Sequence, residues 1–155
     1  VQEETGDIWG YLNEPHNCEI VIPTNVGWKA DGLNVMGAGL AKQAVKKYGR
    51  GIAEWYGAIC RACGPNTPVV VHEELPLVFF PVKPLNYDEP HLSWRSNADI
   101  PLIERSLDQL SKLRLGPFAI PMVGCGNGGL DESDVYPIIQ KTFRHENHVT
   151  LVRYG

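Results

Sequence analysis

Two hydrophobic periods alternate along this chain. Short, almost wholly apolar runs bounded by turn residues stand at 18–23, 75–80, 119–123 and 149–154, and they predict buried strands. The first run ends at Thr24-Asn25. The segment 69–72 reads as a further β piece ahead of 75–80, which delivers Lys83 at its end. Between these runs the period changes to 3.6 residues. Over 37–48, Leu40, Ala44, Val45 and Tyr48 share a face, and Gly49 follows as a natural stop. Over 51–63, Ile52, Trp55, Tyr56, Ile59, Cys60 and Cys63 form a second stripe that Gly64-Pro65 ends. Asp99 caps a third helix carrying Ile103, Leu107, Leu110 and Leu113, with Gly116-Pro117 beyond it. A fourth helix is predicted from about 133 to 144, where Pro137 fits only within the first turn.

The remainder reads as connections: a strand-loop opening at 6–11, a turn at 13–17, and a loop at 26–33 carrying Trp28, Lys29 and Asp31. A polar loop at 84–98 holds Tyr87, His91, Trp94 and Arg95. Strands alternating with helices indicate an α/β layer structure with a largely parallel sheet covered on both faces. There is no internal repeat, low-complexity tract or linker.

Composition narrows the classes of function. At 155 residues and 43% hydrophobic, the chain suits one domain with a real core. Fourteen basic against eighteen acidic residues give net −4, which argues against broad non-specific nucleic-acid binding while leaving room for a local basic patch. No apolar run reaches membrane-spanning length, and the acidic start Val1-Gln2-Glu3-Glu4 is unlike a signal peptide. Of the four cysteines, Cys60 and Cys63 have CxxC spacing without a matching second pair. Buried, reduced thiols of a cytoplasmic protein are expected. No ligand spacing for a metal appears, and His16, His72, His145 and His148 receive no role.

The richest chemistry lies behind the run at 119–123. Gly124-Cys125-Gly126-Asn127-Gly128-Gly129-Leu130 holds four glycines in six positions, and Asp131, Ser133 and Asp134 then announce a helix. Strand, glycine loop and helix start is an arrangement that turns backbone N–H groups toward a phosphate. Asn34-Val35-Met36-Gly37-Ala38-Gly39-Leu40 has the same chemistry upstream and also opens a helix. Two such loops suit a diphosphate. Neither is a Walker loop, and neither spells the dinucleotide G-x-G-x-x-G. Asn25, at a strand end, suits either a ligand contact or an Asx-turn, and Asn34 and Asn127 share that ambiguity. Lys42, Lys46, Lys47 and Arg50 form a basic helix face beside a phosphate loop, most simply a solvated face. Trp28, Tyr87, His91 and Trp94 offer stacking surfaces or loop anchors.

Taken in order, Gly6-Asp7-Ile8 and the loops 34–40 and 124–130 resemble the macrodomain family, the ADP-ribose-binding fold, over nearly the whole chain. The resemblance implies a three-layer α/β/α sandwich, and a monomer is expected. It makes Asp7 the reader of the adenine amino group, with Ile8 beside it, and gives the phosphates to the amides of Asn34 to Leu40 and Gly124 to Leu130. Phe79-Phe80-Pro81-Val82-Lys83-Pro84 and the Gly124–Asp131 segment look like DNA ADP-ribosyl glycohydrolase antitoxins, and the Lys also like terminal ADP-ribose protein glycohydrolases. That branch implies hydrolysis of an ADP-ribosyl linkage on DNA or protein, with Lys83 as nucleophile or general acid and Asn25 positioning the distal ribose. Terminal ADP-ribose protein glycohydrolases pair their Lys with an acid where this chain has Gly128, which favours the antitoxin type. Asp131 reads as a helix cap. An ADP-ribose 1″-phosphate phosphatase and a non-catalytic ADP-ribose reader are the alternatives. No cofactor, metal or membrane partner is implied beyond the ADP-ribose ligand.

Overall fold

The computed structural model describes residues 1–113 and 116–155. Its strands are β1 (Gln2–Thr5), β2 (Glu19–Asn25), β3 (Val70–Val71), β4 (Leu77–Lys83), β5 (Phe118–Ile120) and β6 (Val149–Arg153). Its α-helices are α1 (Gly39–Tyr48), α2 (Gly51–Cys63), α3 (Ile100–Ser111) and α4 (Glu132–Phe143). The six strands form one sheet in the order β1-β6-β5-β2-β4-β3, parallel except for β3 against β4.

The pleat sorts side chains to opposite faces. Ile20, Ile22, Leu77 and Phe79 pack beneath α1 and α2, with Tyr56 stacked on Phe79 at 4.7 Å between ring centroids. Val21, Val78, Phe80, Phe118, Ile120 and Leu151 pack beneath α3 and α4. Two apolar layers on either side of a sheet with a buried centre make the expected three-layer α/β/α sandwich. Among the described residues no helix is long and apolar enough to cross a membrane.

Most predicted elements stand where the periods put them, and α2 does so to the residue. Five differences have physical causes. The edge strand β1 is all exposed and carries no apolar alternation, so only its pairing with β6 reveals it. Helix α1 starts two residues later than predicted, because Ala38 is extended at its N-cap. Strand β5 stops at Ile120, three residues short, where Pro121 cannot donate to a ladder. Pro137 lies inside α4 rather than in its first turn, on an exposed side where water can serve the carbonyl it leaves free. Of the CxxC pair, Cys60 is buried, but Cys63 at the helix end is exposed and not the buried thiol expected.

The feature that matters for the site is a split in the sheet. Strands β2 and β5 pair only at Glu19↔Phe118 and Ile20↔Ala119. The Glu19 N–H donates to the Pro117 carbonyl on one side and the Ile20 N–H to the Pro76 carbonyl on the other, so successive residues address alternate neighbours. By that alternation Pro23 faces β5 and Pro121 faces β2. Each puts a missing donor on the lip of the same gap.

Candidate functional site

A cleft of about 690 Å³ opens in that gap, at the carboxyl ends of β2, β4 and β5. Its size is that of a small-ligand pocket, and strand carboxyl ends are where open α/β sheets hold ligands. Pro23, Thr24 and Asn25 from β2, Val82 and Lys83 from β4, and Pro121 and Met122 after β5 form its base and sides.

One wall is the loop before α1, contributing Val35, Gly37, Ala38, Gly39 and Leu40. Helix α1 has no side-chain cap, and among the described residues the amides of Val35 through Ala41 have no hydrogen-bond partner in the protein. Those N–H groups and the helix dipole together make an anion seat. Asparagine side chains hold the loop in shape. The Asn25 Nδ2 donates to the Val35 carbonyl at 2.8 Å, and its Oδ1 accepts from the Gly27 N–H at 3.0 Å and from Asn34 Nδ2 at 3.1 Å. Asn34 Nδ2 also donates to the carbonyls of Asn25 and Gly27.

Asn25 therefore braces the loop, with its oxygen committed and one N–H left for the cleft. Asn25→Ala would orphan several buried partners, so a melting temperature lower by roughly 5–10 °C is expected. Asn25→Asp keeps the acceptor oxygen for Gly27 and Asn34 but sets a second oxygen against the Val35 carbonyl, so it should not restore the parent's melting temperature.

The opposite wall is the second glycine loop, contributing Gly124, Gly126, Asn127 and Gly128. The Leu130 N–H donates to the Gly124 carbonyl at 3.0 Å and the Gly129 N–H to that of Gly126 at 3.2 Å, closing the turn. Gly124 has φ +78° and sits against Ile103 and Ala98, where a side chain has no room. The amides of Gly126, Asn127 and Gly128 have no partner among the described residues. The two walls face each other closely: a Cβ on Gly39 would lie 3.0 Å from Asn127 Nδ2.

Lys83 ends β4 beside Asn25, at an irregularity in the pairing with β2. Its Nζ donates to the Trp94 carbonyl at 2.7 Å, in a 3₁₀ turn at Pro90–Arg95. Burial holds its pKa below the ordinary lysine range. Buried Ser93 anchors that turn by accepting from the Asn86 N–H at 2.9 Å. Arg95 then reaches the cleft with its guanidinium 5.2 Å over the Trp94 ring. Among the described residues that line the cleft, only Lys83 and Arg95 have ionisable side chains, and arginine keeps its proton.

Several sequence candidates stand elsewhere. The Asp7 carboxylate is exposed and accepts from the Trp9 N–H at 3.0 Å, capping a 3₁₀ turn at Ile8–Leu12, and Ile8 is buried in the core. That turn lies beside α1, where Trp9 Nε1 donates to Gln43 at 2.8 Å. Asn34 and Met36 are buried behind the first loop. Gly129 and Leu130 spend their amides inside the second, and Cys125 turns its thiol to the Val123 carbonyl. Burial, then the carboxylates of Glu132, Asp131 and Asp134, push that thiol up to about 11. Asp131 caps α4, accepting from the Ser133 N–H at 3.3 Å. Sequence reasoning missed Arg95, Thr24 and the two prolines as lining residues. The prolines at the ends of apolar runs were the signal available.

No family model matches the sequence, and no curated protein does. Solved structures do. The macrodomain of Mycobacterium tuberculosis DarG is 25% identical with a TM-score of 0.69, covering 100% of this chain and 99% of that one. The macrodomain of Thermus aquaticus DarG is 25% identical with a TM-score of 0.72, covering 99% and 97%. Thermosipho africanus DarTG in complex with ADP-ribose is 20% identical with a TM-score of 0.72, and the match spans 42% of that longer chain.

Proposed function

From the premise that the chain is a macrodomain, we propose that its cleft binds ADP-ribose and that it hydrolyses an ADP-ribosyl linkage, on DNA or on protein. One observation carries the reading. Among the described residues, two banks of free amides face each other across a cleft in which Lys83 is the one lining side chain able to give up a proton. The amides suit a diphosphate, and the DarTG complex with ADP-ribose supports that ligand.

Hydrolysis breaks the bond from the anomeric carbon to its target; the water oxygen bonds that carbon, and the proton water releases replaces the one that a general acid gives to the leaving atom. The Lys83 ammonium is suited to that last task. No carboxylate lines the cleft among the described residues, so nothing there is suited to resolve a covalent lysine adduct, and the general-acid role is favoured over the nucleophilic one. The Asn25 N–H left free steadies the distal ribose. Arg95 offers a fixed positive charge at the same rim.

A pH profile tests the role. If Lys83 must be protonated, kcat/KM is level through neutral pH and falls as pH rises past its lowered pKa, earlier than an ordinary lysine would allow. A rate that climbs over the same range would instead mark a nucleophile or base. Calorimetric titration with free ADP-ribose tests the ligand, and absence of binding there would end the reading. Turnover of ADP-ribosylated DNA and protein, beside ADP-ribose 1″-phosphate, then separates a hydrolase from a phosphatase or a reader.

A further inference from the structure

The charge of this protein is segregated. Residues 26–63 hold six basic side chains (Lys29, Lys42, Lys46, Lys47, Arg50 and Arg61) against Asp31 and Glu54. Setting those aside from the chain's fourteen and eighteen leaves eight basic against sixteen acidic elsewhere, so a segment of net +4 sits in a remainder of net −8. Helix α1 contains no acid at all. Lys42, Lys46, Lys47 and Arg50 are exposed, and among the described residues none has a carboxylate within ion-pair distance. Lys42 and Lys46 are one helical turn apart, Lys47 stands 5.7 Å over the Trp9 ring, and Arg50 follows just past the helix end.

This row starts at the cleft, because Gly39, Leu40 and Ala41 at the head of α1 line it. It ends at a second concavity of about 460 Å³ bounded by Arg50 and by Lys29 with its ion-pair partner Asp31, with Leu33, Met36 and Val45 as an apolar lining. Val35 and Gly37 belong to both hollows.

We infer that the α1 face and this second concavity form a docking surface for a nucleic-acid strand, its phosphates on Lys42, Lys46, Lys47 and Arg50 and one base in the apolar hollow. A phosphodiester chain matches cations spaced along a helix and supplies a flat, uncharged group at its side. A lipid surface would need exposed apolar side chains among the cations, and the exposed positions of α1 are Gly39, Lys42, Gln43, Lys46 and Lys47. The inference does not depend on the reading of the cleft, because the surface would hold an unmodified strand.

The test is fluorescence anisotropy with a short, unmodified single-stranded oligonucleotide across a salt series. The parent should bind with strong salt dependence. Changing Lys42, Lys46, Lys47 and Arg50 together to Ala should weaken binding by at least about tenfold and flatten the log–log salt slope by about 3. The single exposed change Lys46→Glu should weaken it on its own, so the inference does not hang on the fold of the quadruple variant. Heat released by free ADP-ribose should be the same in parent and variants, which keeps the two readings separate. Binding that persists undiminished in the variants, or an equally charged polyglutamate peptide that competes as well as the oligonucleotide, overturns the inference. So does a parent protein that binds no strand.

Discussion

Lys83→Ala is expected to lower the rate of ADP-ribosyl hydrolysis by roughly 10²–10⁴-fold while leaving the affinity for free ADP-ribose nearly intact. The two effects separate because the groups are separate. The diphosphate would lie on main-chain amides of two loops, whereas the Lys83 ammonium is tied to the Trp94 carbonyl at the strand end. Lys83 is only half-buried, so its truncation leaves the core untouched. Lys83→Arg sharpens the experiment. It restores a positive charge but not a proton that can be given up, so a proton donor is not rescued, whereas a purely electrostatic role partly is. Single-turnover release of ADP-ribose measures the chemical step, and calorimetry measures binding. Turnover by Lys83→Ala within a few-fold of the parent would remove Lys83 from the mechanism.

Gly128→Ala should cost roughly 1–3 kcal/mol of stability and most of the affinity for ADP-ribose. The difficulty is space rather than backbone dihedral. A Cβ at Gly128 would collide with the Gly124 carbonyl and come 2.8 Å from the Ala98 Cβ. The Gly128 carbonyl also accepts from the Ala98 N–H at 2.9 Å, which ties the loop to the start of α3. To admit a methyl the loop must shift as a unit, and its free amides shift with it. Gly126→Ala is the control, because a Cβ there meets nothing within 4 Å. The first variant should melt several degrees lower and the second close to the parent, as read by thermal unfolding. Equal melting temperatures would mean that the loop yields more easily than its packing implies.

What the sequence disclosed follows from which physical signals are local. Strands β2, β4 and β6 are buried on both faces and so appear as apolar runs, and α2 has an unbroken stripe closed by Gly64. The glycine loops are legible because tight turns and close packing demand glycine whatever surrounds them. Strand β1 is illegible for the opposite reason: Gln2-Glu3-Glu4-Thr5 draws its structure from pairing with β6, at the far end of the chain. The same divide runs through the site. Membership of a loop motif did not tell which residues face the cleft. Asn34 and Met36 turn inward to support the first loop, and Leu130 spends its amide closing the second. Arg95 reaches the cleft from a 3₁₀ turn whose Pro90 and Ser93 pack against Gly27, just past the end of β2, a tertiary contact that no spacing announces.

The two prolines at the split have a further consequence. A gap between parallel strands would ordinarily tend to zip closed, since each new rung satisfies two polar groups. With Pro23 and Pro121 on its lips, the rungs that would seal it lack their donors, so the opening is written into covalent structure rather than propped open by whatever occupies it. A molecule entering such a mouth has no strands to pry apart, and little of its attraction is lost to rearranging the host.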